Sequence, residues 1–186
     1  MILFVGLGNP TKEYANTRHN IGFMAIDYLV GCHNASLISK TKFHGELYKH
    51  NQNLFLKPTT YMNLSGQSVA AVVQYYKPDE VVVIHDDIAI NLGSIKIKKG
   101  GSSGGHNGIK SIDSHIGSEY IRLRLGVGSP KDRQSTVNFV LGNFSECEKG
   151  CVEKIIHYAK GVLEALTKES LENVIIKYNS RKGICE

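Results

Sequence analysis

Two short, wholly apolar runs constrain this chain more than any other feature. Leu3-Phe4-Val5 ends at Gly6, and Val81-Val82-Val83-Ile84 runs directly into His85-Asp86-Asp87. Each is short for a helix and lacks polar residues at alternate positions, so both faces of each strand have to be covered. Strands of that kind belong to parallel sheets layered by helices. The polar groups after Ile84 then stand at the carboxyl end of a buried strand, where open α/β sheets place their sites.

The remaining pattern fits. A long polar loop leads from the first strand to an amphipathic helix from about Ile21 to Val30. A second helix spans Ser65 to Tyr76, with Val69, Val72, Val73 and Tyr76 on its core face and Lys77-Pro78 as its stop. Between them, Gly45 to Tyr48 and Leu54 to Lys57 flank Asn51-Gln52-Asn53 as a hairpin. A basic strand, Ser94 to Lys99, precedes a glycine-rich loop through Gly108, a short helix pattern at Ile109, Ile112 and Ile116, and a strand from Tyr120 to Leu125. The tail reads as a long helix from about Ser145 to Lys168 and a shorter one from near Ser170, whose hydroxyl can cap it. No repeat or linker divides the chain. Residues 1–186 are therefore expected to form one α/β domain with a mixed, mostly parallel twisted sheet flanked by helices.

Composition excludes several classes. With 41% hydrophobic and 21% charged residues the chain is an ordinary globular one, and no apolar run approaches the ~20 residues of a membrane span. The opening Met1 to Val5 lacks a basic leader, so a cytoplasmic protein is expected. Cys32, Cys147, Cys151 and Cys185 form no C-x-x-C pair and read as reduced thiols. Cys151 continues into the apolar series Ile155, Ala159 and Val162, which favours packing over ligation. The eight histidines form no compact metal spacing, so no metal is expected. A net charge of +5 suits a polyanionic partner without requiring one. Its placement says more: Lys96 and Lys98 share one strand face, and Arg122 and Arg124 share another opposite the apolar Ile121, Leu123 and Leu125. These stripes can bind phosphate, or the lysines can simply guard an edge strand.

Three polar segments have no role in folding alone: Gly6 to Pro10 together with Tyr14 to Asn20, Thr59 to Gly66, and Gly104 to Gly108. They carry Asn9, Asn20, Asn63 and Asn107, carboxamides that can grip a carbonyl, although turn residues or a helix cap at Asn63 are the plain alternatives. His19 is the candidate base, because imidazole titrates near neutral pH and water attacking an ester needs an acceptor there. Asp86 can accept from that imidazole and fix its tautomer. The competing possibilities are an exposed loop histidine and a helix-capping aspartate. His19→Ala is expected to cost about 10²–10⁴ in rate, and Asp86→Asn less.

The order and content of these segments resemble the bacterial peptidyl-tRNA hydrolase family from about Leu3 to Tyr178. The most specific stretches are Gly6 to Pro10, Thr17 to Gly22, Pro58 to Gly66, His85-Asp86, Gly104 to Gly108, Arg124 to Pro130 and Phe139 to Gly142. The resemblance implies hydrolysis of peptidyl-tRNA to peptide and free tRNA, recycling tRNA from stalled or aborted translation, by a cofactor-free monomer that has no membrane partner. It carries the catalytic histidine onto His19, support of its basic form onto Asp86, and discrimination of blocked from free aminoacyl-tRNA onto Asn9. It also implies that Tyr14, Tyr61, Met62, Asn63 and Asn107 line the site for the peptide and the 3′ end, and that Lys98 and Arg124 clamp a tRNA phosphate.

Two departures stand out: Thr11 where the family commonly has glycine, and Ser102 interrupting a glycine run. Rival readings fit less well. Gly6-x-Gly8 lacks the third glycine of a dinucleotide fingerprint, and Asp27 lies inside a helix pattern. Gly101-Ser102-Ser103-Gly104-Gly105 formally matches a nucleophile elbow, but lysines precede it and further glycines follow. A non-enzymatic RNA-binding protein is the remaining alternative.

Overall fold

The computed structural model describes residues 1–131, 134–179 and 183–186. The strands are β1 (Ile2–Gly6), β2 (Ser36–Leu37), β3 (Gly45–His50), β4 (Asn53–Pro58), β5 (Glu80–Asp87), β6 (Ile95–Lys99) and β7 (Ile121–Gly126). They form a seven-stranded sheet in the order β2-β3-β4-β1-β5-β7-β6. The central strands β4, β1, β5 and β7 are mutually parallel, whereas β3 and β6 run against their neighbours. The helices are α1 (Ile21–His33), α2 (Ser65–Tyr76), α3 (Asn107–Ile116), α4 (Thr136–Val140), α5 (Glu146–Leu166) and α6 (Leu171–Asn179). No helix of the described residues is long and apolar enough to cross a membrane.

Both apolar runs are covered on both faces, as their composition requires. Phe4, Val82 and Ile84 join one core layer with residues of α1 and α5, while Leu3, Val5, Val81 and Val83 join another with residues of α2 and α3. Because side chains alternate along a strand, this division is what a sheet with helices on each side must show. The carboxyl ends of β4, β1 and β5 consequently open side by side.

Two glycines bring α1 down onto that end of the sheet. A Cβ on Gly6 would collide with the Gly22 carbonyl oxygen, and one on Gly22 with the Ile84 carbonyl oxygen. The close approach sets the turn before α1 directly above the end of β5. At α5, Ser145 accepts from the Glu148 N–H while the Glu148 side chain accepts from the Ser145 N–H, a capping box that fixes where the helix begins. The edge strand β6 exposes Lys96 and Lys98, and its Ile97 exchanges two hydrogen bonds with the Asn179 side chain at the end of α6. A carboxamide thus takes the place of a further strand on that edge.

One expectation is corrected. Cys151 and Cys185 are joined in a disulfide across 34 residues, with their Cα atoms 5.1 Å apart, whereas Cys32 and Cys147 are free and exposed. Cys151 keeps its place on the apolar side of α5, but the bond also ties the C-terminus to that helix. Spacing along the chain carries no trace of a partner so distant.

Candidate active site

The three polar segments converge where β1, β4 and β5 end. His19 lies in a 3₁₀ turn, Arg18–Asn20, that leads into α1. The preceding Arg18 pins this turn from outside: its guanidinium reaches Glu148 at 3.1 Å and the Phe139 carbonyl at 3.2 Å, and it stacks over the Phe139 ring at 4.3 Å. His19 Nδ1 lies 2.8 Å from Asp86 Oδ2 across 67 residues of sequence. The second carboxylate oxygen, Oδ1, lies 2.8 Å from His106 Nε2. Asp86 is 2% exposed. Burial by itself would raise its carboxyl, but the adjacent imidazoles of His106 and His19 outweigh that and hold it well below the usual carboxylate range. The aspartate is therefore an anion gripped between two rings rather than a helix cap.

Asn9, just beyond the end of β1, is fixed by three hydrogen bonds. Its N–H donates to Asn20 Oδ1 at 2.9 Å, its carbonyl accepts from Asn20 Nδ2 at 2.9 Å, and its own Oδ1 accepts from the Met62 N–H at 2.8 Å. With the side-chain oxygen committed, the Nδ2 amide is the group of Asn9 left to act as a donor. Asn63 is exposed, and no side chain caps α2, so the capping alternative for Asn63 does not hold. Tyr14 and Tyr61 meet edge to face with ring centres 6.4 Å apart. A cavity of about 680 Å³ joins the set, lined by Asn9, Tyr14, His19, Tyr61, Met62, Asn63, Asp86, Lys98, Asn107 and Arg124.

Comparison with known proteins bears on this cavity. A family model described as peptidyl-tRNA hydrolase matches residues 3–184. A peptidyl-tRNA hydrolase of Campylobacter concisus is 52% identical over 184 residues, 99% of each chain. This chain belongs to the peptidyl-tRNA hydrolase family. The crystal structure of peptidyl-tRNA hydrolase from Acinetobacter baumannii matches with a TM-score of 0.92 at 35% identity, covering 98% of this chain and 96% of that one. The architecture also extends beyond the family. The 5′-methylthioadenosine nucleosidase of Arabidopsis thaliana, 10% identical, matches with a TM-score of 0.55 over 92% of this chain and 98% of its own. Fold by itself does not separate such proteins, so function has to be argued from the residues in the cavity.

In this member of the peptidyl-tRNA hydrolase family the basic wall is not uniform. Lys98 is exposed at the cavity's edge. The Arg124 Nε donates to Asp87 Oδ2 at 2.8 Å. Arg122, expected to share an open basic face with Arg124, is instead 2% exposed. It donates to the Ser102 carbonyl at 2.6 Å and to Asp113 at 3.1 Å, and lies over the Tyr120 ring at 4.8 Å. Period-two alternation correctly gave the arginines one face, but that face is covered by α3 and the glycine-rich loop at Arg122. Its role is to hold that loop, not to wait for an anion.

Sequence reasoning missed three other parts of the site. His106 lies inside the Gly104 to Gly108 segment with no role drawn from sequence, although a polar residue just before a helix start is the available signal. The short α4 and the residue that ends it place the exposed Val137 and Leu141 on the cavity's rim. His85, buried beside Asp86, contacts the Asp86 carbonyl through Nδ1 at 2.8 Å, and its Nε2 has no partner among the described residues. Burial lowers its pKa to about 3, so the ring is neutral. His19, Asp86 and His106 offer ligand atoms within 4.8 Å of one another, a spacing a metal ion could use. Both rings, however, direct a nitrogen at a carboxylate oxygen at hydrogen-bond distance, so a metal would have to displace the protons shared there.

Proposed function

We propose that this chain hydrolyses the ester joining a peptide to the 3′ end of tRNA, with His19 as general base and Asp86 as the group that orients and supports it. The observation carrying this reading is the 2.8 Å contact between His19 Nδ1 and Asp86 Oδ2 in a family member whose cavity gathers polar groups from three separate segments. With Nδ1–H donated to the carboxylate, Nε2 keeps the lone pair that a base needs. A water gives its proton to Nε2 as its oxygen bonds to the ester carbonyl carbon. Asp86 stabilises the resulting imidazolium. As the ester C–O bond breaks, that proton passes to the departing ribose oxygen.

The Asn9 amide supplies an N–H to a carbonyl oxygen at this centre. It also gives a physical basis for discrimination. A blocked α-nitrogen brings an acyl carbonyl able to accept from Asn9, whereas a free ammonium brings only donors to face a donor. Tyr14, Tyr61, Met62, Asn63 and Asn107 take the peptide and the tRNA end, with the apolar rim of α4 beside them. Lys98 and the unengaged nitrogens of Arg124 take a backbone phosphate. The scheme uses no metal or organic cofactor, and treats residues 1–186 as one monomeric, cytoplasmic unit.

Release of an N-acetylated aminoacyl group from tRNA by the purified protein tests it, with unblocked aminoacyl-tRNA as control. Release from the blocked substrate alone is expected. Binding of tRNA without release would leave an RNA-binding protein as the better account.

A further inference from the structure

Two imidazoles hold one carboxylate in this site at equal distances, so contact with Asp86 does not by itself say which ring can take a proton. The difference lies at the far nitrogens. His106 caps α3, and its Nδ1 accepts from the peptide N–H groups of Gly108 at 3.1 Å and Ile109 at 3.3 Å. A nitrogen that accepts two N–H groups has no lone pair to spare for a proton. His19 has no such partner at Nε2 among the described residues, and it lines the cavity.

We infer that His106 is a positioning residue whose tautomer is dictated by the N-terminus of α3, so that it donates Nε2–H to Asp86 Oδ1 and leaves His19 as the ring that accepts the proton of water. The inference rests on the reading of His19 as base. It makes the carboxylate a shared acceptor with one oxygen assigned to each ring. Oδ1 is held by His106, Oδ2 is left to His19, and the carboxylate cannot rotate to weaken that contact. The titratable groups packed against His106 are Asp86 and His85 from β5 and His19 from the turn before α1. The helix start is itself wedged in place. A Cβ on Gly108 would meet Met62 Sδ at 2.6 Å and Leu7 Cδ1 at 2.9 Å, so the cap is packed against the segments that carry Asn9 and its Met62 partner.

The variant His106→Asn separates this role from helix capping. Asparagine is a good N-cap, so the start of α3 keeps its acceptor, but the shorter side chain does not reach Asp86. Expected results are a thermal midpoint and tRNA affinity close to wild type, kcat lower by roughly 10- to 100-fold, and little change in KM. The acid limb of the kcat/KM profile also moves to higher pH, because Asp86, relieved of one donor, holds a protonated partner more strongly. Wild-type turnover with an unmoved profile, alongside an inactive His19→Ala, overturns the inference and leaves the base assignment intact. An active His19→Ala overturns the base assignment, and the inference with it. Imidazole ¹⁵N spectra of the wild-type protein test the tautomer without any variant. A proton on His106 Nε2 is expected, and one on Nδ1 overturns the inference.

Discussion

The substitution Asp86→Asn puts the hydrogen-bond logic of the site under the sharpest strain. Both rings point an N–H at residue 86, and a carboxylate accepts both. An asparagine offers one oxygen and one NH₂ group, so its NH₂ must face one of the rings. It cannot face His106 without cost, because moving that ring's proton to Nδ1 sacrifices two peptide N–H bonds at the start of α3. The NH₂ therefore faces His19, whose proton shifts from Nδ1 to Nε2, and the lone pair needed for catalysis is lost from the cavity. In Ser-His-Asp triads the corresponding amide, by leaving the wrong tautomer, lowers turnover about 10⁴-fold. The expected loss here is about 10³–10⁴ in kcat, or roughly 4–5 kcal/mol of barrier, with tRNA affinity unchanged. From residue identities alone Asp86→Asn ranks below His19→Ala; the second imidazole is what raises it. Single-turnover release from N-acetylated aminoacyl-tRNA, with enzyme in excess, reads the chemical step. An Asp86→Asn protein within tenfold of wild type refutes the reasoning.

Other outcomes follow from particular residues. Thr11 sits at φ +84°, ψ 153°, a region essentially reserved for glycine, so Thr11→Gly is expected to stabilise by about 1 kcal/mol in urea unfolding, after the flexibility of glycine is offset; a destabilised variant contradicts the strain. His85 is neutral in the fold, with its pKa lowered to about 3, whereas unfolded histidine binds a proton near 6.5. Its contribution is full above about pH 6.5 and declines as pH falls toward the folded value, by about 2 kcal/mol between pH 7 and pH 5; His85→Asn should lose that part of the pH dependence, and equal pH slopes in the two proteins would argue otherwise. Lys98→Ala should weaken tRNA binding and reduce the salt slope by about 1 without changing the melt. Arg122→Leu, which removes the donor to the Ser102 carbonyl and leaves Asp113 with the Tyr120 hydroxyl, should instead destabilise the fold by about 1–3 kcal/mol; the reverse pattern would exchange the roles given to these two cations.

The sheet and its carboxyl-end site were legible because they depend on local pattern. Leu3 to Val5 and Val81 to Ile84 demanded two covered faces, and Ser65 to Tyr76 carried its own helical period and stop, as the observed α2 does. What the pattern could not carry is contact between distant segments. Asp86 as a strand-end acceptor was readable; its 2.8 Å approach to a histidine 67 residues away depends on Gly6 and Gly22 letting α1 settle on the sheet. Arg122 looked like Arg124 because alternation fixes only the face, and what covers a face is decided by tertiary packing. The pairing of Cys151 with Cys185 and the cap made by His106 were hidden for the same reason. Thr11 stood out only as a departure from a family habit until its positive φ supplied the physical ground for glycine there.

The central claim is that His19 performs the chemistry in a cavity that other residues use for binding. Its most direct test is single-turnover release from N-acetylated aminoacyl-tRNA by wild type and His19→Ala, with tRNA affinity measured on the same preparations. The account predicts at least a ~100-fold slower release by His19→Ala with unchanged tRNA binding. Release at the wild-type rate by His19→Ala would contradict it.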